Sequence, residues 1–81
     1  MIDEADFLNK LAEVFREELE QPELSISMRT LREELENWDS LAHVRLVIAV
    51  ERLFDVQFEV AEIESIAGVR DFYDAVGRHT G

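Results

Sequence analysis

With 81 residues the chain can form one domain, residues 1–81, but it offers little room for a deep pocket with its own catalytic groups. Its 47% hydrophobic and 33% charged residues exclude a disordered segment and a membrane span, and the absence of cysteine excludes disulfides and thiolate metal sites. A formal net charge of −11 disfavours nucleic acid and membrane surfaces as partners and favours basic protein surfaces, although an acidic balance can also serve solubility alone.

A first amphipathic helix is predicted between an N-cap at Asp3 or Asp6 and a stop at Gln21 and Pro22. Within it the apolar residues recur at steps of three and four positions, the spacing that places side chains on one face of an α-helix. That face is predicted to pack into the core, with Phe7, Leu8, Leu11, Val14, Phe15 and Leu19.

Residues 23–37 follow with weaker periodicity and are predicted to form a long ordered connection that contains a short helical turn. Connections of this length are uncommon in small domains, and those that occur are commonly functional or well packed. The apolar residues of the connection are spaced so that they can cover the core: Leu24, Ile26, Met28, Leu31 and Leu35.

The second helix is predicted to begin at Asp39 or Ser40, since either residue can cap it, and to end at Phe54. At about 100° per residue, its apolar side chains divide into two groups on different sides of the helix. The first group is predicted to face the core: Leu46, Val47, Val50, Leu53 and Phe54.

The second group consists of Leu41, Val44 and Ile48, which fall beside Arg45 and Arg52. A bundle this small cannot easily bury both groups, so we predict that the second group is an exposed contact face for partner proteins. The alternative is that leucines of the preceding loop cover this face.

A short third helix is predicted over residues 60–66, followed by a break at Ala67 and Gly68. A last helix is predicted over residues 69–78, with residues 79–81 frayed. No strand-like alternation competes with these helices, so the predicted fold class is all-α, a four-helix bundle with a long first loop and a short third helix. The side chains of the last helix predicted to pack inward are Phe72, Tyr73 and Val76.

The tripeptide Asp39-Ser40-Leu41 begins the second helix and places a hydroxyl where another enzyme can reach it. Taken alone it is an ordinary helix-capping sequence. Its frame, however, resembles the acyl carrier protein family around its modified serine, with Asn37-Trp38 before it and Val44, Leu46-Val47, Glu51 and Leu53-Phe54 after it. The resemblance extends downstream through Phe54-Asp55-Val56-Gln57-Phe58, Ile66 and Val69-Arg70-Asp71, and upstream to a loop anchor at Thr30-Leu31.

This resemblance implies an acyl-carrier-like fold and a carrier rather than an enzyme. In the family a phosphopantetheinyl transferase joins 4′-phosphopantetheine from coenzyme A to the serine, here Ser40, and Asp39 is the acidic neighbour that the transferase or its metal ion recognises. The thiol at the tip of this arm then carries an acyl or aminoacyl thioester between acyl-loading and acyl-processing enzymes, for example of fatty acid or polyketide biosynthesis. A helix N-terminus suits the anionic phosphate of such a phosphoprotein.

Two positions depart from the family pattern. Arg45 stands where the family often has glutamate, and Arg52 adds a second positive charge to the same helix, which favours a specialised, stand-alone carrier over the housekeeping fatty-acid carrier. The segment Glu59-Val60-Ala61 lacks the Pro-Asp pair often found there, which leaves the start of the third helix open. The acidic surplus lies elsewhere, and partners can approach from its side: Glu13, Glu17, Glu18, Glu20, Glu33, Glu34 and Glu36.

No catalytic or metal-binding residues are predicted. His43 lies three positions after Ser40 on a bearing close to the core stripe, so we predict a partly buried, hydrogen-bonded histidine rather than a general base. Trp38 is predicted to pack at the mouth of the second helix. The two histidines and scattered carboxylates have no recognisable metal-ligand spacing.

We also expect a monomer. A cytoplasmic location is expected because residues 1–4 lack the basic patch and apolar run of a secretory signal. Neither nucleic acid nor a membrane is expected as a partner. Two alternatives remain open: an unmodified, carrier-like interaction module that binds through its exposed helix face, and an acidic helical regulator or nucleic-acid mimic.

Overall fold

A computed structural model describes residues 2–80, and within them the chain forms four α-helices. These are α1 (Glu4–Glu18), α2 (Ser40–Phe54), α3 (Val60–Ser65) and α4 (Val69–Thr80), and a single 3-10 turn (Arg32–Glu34) interrupts the long connection between α1 and α2. The described residues contain no strand beyond one isolated bridge. The predicted all-α four-helix bundle with a long first loop and a short third helix is therefore confirmed.

Local capping sets the start of α1. Of the two candidate caps, Asp3 is the one used, because its Oδ2 accepts a hydrogen bond from the backbone N–H of Asp6 at 3.1 Å. The helix ends before Glu20, which adopts a left-handed φ of 55°, and the backbone N–H of Gln21 turns back to the carbonyl of Arg16 at 2.9 Å.

Aromatic side chains from three elements fill the centre of the bundle. The ring of Phe15 meets Trp38 edge-on with centroids 5.0 Å apart, and Trp38 stacks on Phe72 at 6.0 Å. These contacts join α1, the end of the long loop and α4. The other large side chains that are fully buried are Phe7, Leu11, Leu46, Val50, Val69 and Val76.

The long loop is tied to the junction between α3 and α4. Leu31 pairs with Gly68 in an antiparallel bridge, and the backbone N–H of Val69 donates to the carbonyl of Thr30 at 2.9 Å. A Cβ atom at position 68 would lie 2.8 Å from that same carbonyl oxygen. Glycine is thus required there by close backbone approach, and the loop is held as an ordered part of the fold.

Two sequence-based predictions are wrong in detail. Leu53 was predicted to face the core but is 44% exposed, because it lies at the edge of the stripe on the last turn of α2. The neighbouring Phe54 is half-buried and stacks on Phe7 at 5.1 Å. The last helix does not fray after residue 78; it continues to Thr80, whose Oγ1 donates to the carbonyl of Val76 at 3.0 Å. Residue 81, which was also predicted to be frayed, lies outside the described residues.

The third helix starts as predicted even though the Pro-Asp pair is missing. The side chain of Glu62 accepts the backbone N–H of Glu59 at 2.9 Å, which satisfies one of the N–H groups at the start of α3. The helix ends at Ser65, and Ile66 turns inward, where only 3% of it remains exposed.

Candidate functional site

The start of α2 presents an accessible hydroxyl. Asp39 is the N-cap: its Oδ1 accepts the backbone N–H of Ala42 at 2.8 Å, and its carbonyl accepts that of His43 at 2.8 Å. Ser40 is the first helical residue and is exposed, and within residues 2–80 its Oγ has no hydrogen-bond partner. The serine hydroxyl can therefore be approached from solvent without breaking an internal contact.

The electrostatics at this point combine opposite contributions. The N-terminus of a helix carries partial positive charge, and the backbone N–H groups of Ser40 and Leu41 are not taken by the Asp39 cap. The carboxylate of Asp39 offsets part of that charge. The arrangement suits an anion attached to Ser40 that lies on the side away from Asp39.

His43 is buried, and both of its ring nitrogens are hydrogen-bonded. Its Nδ1 accepts a hydrogen bond from Nε1–H of Trp38 at 2.9 Å, and its Nε2 lies 2.9 Å from the carbonyl oxygen of Ile63. Since a carbonyl can only accept, the ring is neutral with its proton on Nε2. Only 7% of His43 is exposed, so the predicted buried, hydrogen-bonded histidine is confirmed, as is the packing role of Trp38.

A row of apolar side chains runs along α2 from the serine. Leu41 is 65% exposed, Val44 51% and Ile48 43%. The alternative that loop leucines cover this row is wrong: Leu31 is itself 44% exposed, and Leu35 lines a separate groove. The structure leaves the predicted contact face open to solvent.

The two arginines of α2 lie in different surroundings. Nε of Arg45 is 3.9 Å from Oε1 of Glu18, a contact that links α2 to the end of α1. The cleft around Arg45 has a volume of about 290 Å³ and is lined by acidic residues of α1, the loop and the cap, which include Glu20, Glu36 and Asp39. The acidic surplus of the first helix and the loop thus reaches the neighbourhood of the serine.

Arg52 lines an open cleft of about 510 Å³ at the far end of α2, together with Ile48 and Asp55. Within the described residues no carboxylate oxygen lies within 4.0 Å of its guanidinium. The five predicted contact residues therefore lie along the exposed side of α2, with Arg45 near the serine and Arg52 near the helix end.

A cluster that sequence reasoning missed fastens α3 to the end of α4. The carboxylate of Glu62 accepts from the backbone of Glu59, from Nε2 of His79 at 2.8 Å and from Nε of Arg78 at 3.2 Å. In that order of importance, these bonds lower the pKa of Glu62 from its ordinary value of 4.5 to about 2. The available signals were a glutamate at the third position of a short helix and basic residues in the last turn of the next helix.

The described residues contain no cluster of three or more histidine, aspartate or glutamate side chains placed to hold a metal ion. None of the helices between residues 2 and 80 combines the length and the apolar character that crossing a membrane requires.

The comparisons with known proteins agree with the fold. No protein-family model matches the sequence, and no curated protein matches it. Among solved structures, the chain is similar to the NMR solution structure of holo acyl carrier protein from Geobacter metallireducens, with a TM-score of 0.80 and 25% sequence identity over 90% of this chain and 84% of that chain. Its overall fold is that of a carrier protein. In this fold and in the motif around Ser40, the chain is similar to the acyl carrier proteins.

Proposed function

We propose that this protein is an acyl carrier whose Ser40 bears a 4′-phosphopantetheine arm and carries a thioester-linked acyl or aminoacyl group between enzymes of a biosynthetic pathway. The observation that supports this most directly is the exposed, unengaged hydroxyl of Ser40 at the first residue of α2, in a fold similar to that of a holo acyl carrier protein. The chain has no cysteine, so the arm supplies the thiol that thioester chemistry needs.

The residues around Ser40 fit such an arm. A phosphopantetheinyl transferase would join the serine Oγ to the β-phosphorus of coenzyme A, as the bond to the adenosine bisphosphate breaks and Oγ loses its proton. Asp39 is exposed beside the serine, which places its carboxylate where the transferase or its metal ion can bind it. Backbone N–H groups of Ser40 and Leu41 can stabilise the phosphate once it is attached.

The carrier supplies no catalytic group of its own in this proposal. His43, the nearest base along α2, has both ring nitrogens engaged by Trp38 and Ile63, and its ring is buried. The acyl-loading and acyl-processing enzymes provide the chemistry, and the carrier positions the arm. The chain acts as a single domain and a monomer in the cytoplasm.

The partner face in this proposal is the exposed side of α2, where Leu41, Val44 and Ile48 provide apolar contact and Arg45 and Arg52 provide charge. The transferase and the processing enzymes would dock here. Arginine at position 45 favours a pathway whose enzymes do not require a continuous acidic helix, which argues for a specialised carrier over the housekeeping fatty-acid carrier.

Incubation with coenzyme A and a broad-specificity phosphopantetheinyl transferase, followed by intact mass measurement, tests the proposal. An unmodified interaction module would share the open face of α2 but would gain no mass. Modification of Ser40 therefore distinguishes the acyl carrier from the unmodified interaction module.

A further inference from the structure

The exposed apolar side chains of α2 form a narrow ridge. Leu41, Val44 and Ile48 stand at positions i, i+3 and i+7, so they fall within an arc of about 60° and extend over about 10 Å of the helix axis. All three are exposed, and they begin one residue after Ser40. We call these three side chains the α2 ridge.

The spacing of the α2 ridge fits another helix. Apolar residues at i, i+3 and i+7 are the anchors through which two amphipathic helices pack along each other. A ridge one side chain wide enters the groove between two rows of side chains on a second helix. The shape of the surface therefore favours a helical partner segment.

The two arginines of α2 lie on one flank of this ridge. Arg45 and Arg52 are seven positions apart, which places their bearings about 20° apart and separates them by about 10 Å along the axis. Both lie within about 60° of Ile48 around the helix. A helix packed on the ridge would place its own flanking side chains next to them, and ion pairs at such positions determine which partner binds and in which direction.

At the far end of the ridge, Arg52 has no ion-pair partner. Between residues 2 and 80, no carboxylate oxygen lies within 4.0 Å of its guanidinium. Two acidic residues line the same cleft, Glu51 and Asp55. Oε2 of Glu51 accepts the backbone N–H of Phe58 at 2.8 Å, and Asp55 is the exposed C-cap of the helix. The guanidinium can therefore bind a carboxylate from outside the chain.

The end of the ridge beside the serine has the opposite charge. Arg45 is 3.9 Å from Glu18, and the cleft around it is also lined by Glu20, Glu36 and Asp39. Here four carboxylates surround one guanidinium. A partner that packs along the ridge thus meets net negative charge at one end and an unpaired cation at the other.

From these observations we infer that the α2 ridge docks an amphipathic helix of a partner enzyme whose charges are divided between its two ends. The apolar side of that helix lies on the ridge, a carboxylate on its flank binds Arg52, and cationic side chains lie over the acidic end beside Ser40. Such a partner differs from the uniformly basic surface that a net charge of −11 alone favours. The inference rests on the proposed function, because the enzyme must reach an arm on Ser40.

Two synthetic helical peptides of equal length test this charge pattern. Both have the same apolar row; the mixed peptide has lysines at one end of its flank and glutamates at the other, whereas the basic peptide has lysines at both ends. Each is titrated into the full isotope-labelled chain bearing its arm, at about 0.15 M salt, where exposed charges more than about 8 Å apart are largely screened. The NMR amide shifts of residues 41–52 give the dissociation constants.

We expect wild type to bind the mixed peptide about two- to fivefold more tightly than the basic peptide, the effect of one exposed ion pair. Arg52→Glu should reverse this preference. Arg29→Glu makes the same change in net charge at an exposed loop position and should keep it. Val44→Gln should weaken the binding of both peptides, whereas Leu53→Gln, at an exposed residue on another side of α2, should not.

Tighter binding of the basic peptide by wild type, equal binding of the two, or no binding of either would overturn the inference and leave the carrier function intact. Shifts of the same amides that grow with protein concentration in the absence of peptide would also overturn it, because a second copy of the chain would then cover the ridge. A chain that gains no phosphopantetheine would overturn both proposals. Intact mass, measured before the titration, distinguishes this last failure from the others.

Discussion

Nε1–H of Trp38 donates to Nδ1 of His43 at 2.9 Å, and the two ring planes lie within 22° of each other with their centroids 5.9 Å apart. This pair lies directly inside the helix start that bears Ser40. Because His43 also binds the carbonyl of Ile63, it joins the end of the long loop, α2 and α3 through one side chain. The position of the serine thus depends on a buried polar contact as well as on the Asp39 cap.

Replacement of His43 by leucine should destabilise the protein. The change leaves the indole N–H of Trp38 buried without a partner, at a cost of about 1–3 kcal/mol. It also removes one hydrogen bond from the carbonyl of Ile63, which keeps the backbone N–H of Ile66 as a partner at 3.4 Å. Urea unfolding followed by circular dichroism measures the loss. His79→Leu is the comparison variant: it also breaks a hydrogen bond, to Glu62, but at a side chain that is 29% exposed, so it should cost less than His43→Leu. Equal stability of His43→Leu and wild type would contradict the structural role.

Glu62 should make stability depend on pH in the acid range. Its pKa in the folded protein, about 2, lies below the ordinary 4.5, so its ionised form stabilises the fold above pH 4.5 and the contribution disappears as pH falls toward 2. The difference in unfolding free energy between wild type and Glu62→Gln should therefore shrink between these values. An NMR titration of the Glu62 carboxyl with a midpoint near 4.5 would refute this assignment.

Gly68→Ala should destabilise the loop anchor. The new Cβ would lie 2.8 Å from the carbonyl oxygen of Thr30, and both groups are backbone-fixed, so the strain should cost about 1–3 kcal/mol. Gly77→Ala is the counterpart inside α4. There alanine should raise the free energy of unfolding by about 0.5–1 kcal/mol, because it has a higher helix propensity than glycine. Thermal unfolding compares the two, and a Gly68→Ala variant as stable as wild type would remove the close-approach argument.

Arg45→Glu should improve handling by the enzymes of a fatty-acid carrier if the reversed charge is what excludes them. A charge at the edge of an interface mainly changes the rate of association with the partner. We therefore expect kcat/KM to rise by up to about tenfold, equivalent to about 1.4 kcal/mol. Loss of the exposed contact with Glu18 should change stability by no more than about 1 kcal/mol.

The measurement for Arg45→Glu is the acyl-loading rate with a fatty-acid synthase component. Arg29→Glu, an exposed loop position, controls for the change in net charge. Identical rates for wild type and Arg45→Glu would remove position 45 as a determinant of partner choice.

Local patterns were sufficient to predict the helix that carries the site. Asp39 before an apolar run is a capping signal that needs no tertiary information, and the bearings of Leu41, Val44 and Ile48 follow from the helical repeat alone. The residues around Ser40 resemble those of the acyl carrier protein family, and this resemblance indicated Ser40 as the candidate attachment point.

The features that escaped prediction depend on contacts between distant residues. The last turn of α4 is held by the bond from His79 to Glu62, 17 positions earlier, and the exposure of Leu53 depends on how Phe54 stacks against Phe7. The bridge between Leu31 and Gly68 likewise forms only where the long loop reaches the α3–α4 junction. Periodicity along one segment contains no information about contacts with distant segments.

The central claim concerns one oxygen atom, Oγ of Ser40. The most direct test incubates wild type, Ser40→Ala and Ser65→Ala, an exposed helical serine as control, with coenzyme A and a broad-specificity phosphopantetheinyl transferase, and reads intact mass with peptide mapping. Our account predicts that wild type and Ser65→Ala each gain one phosphopantetheine, located on Ser40, and that Ser40→Ala gains none. No gain by wild type, or an equal gain by Ser40→Ala, would contradict it.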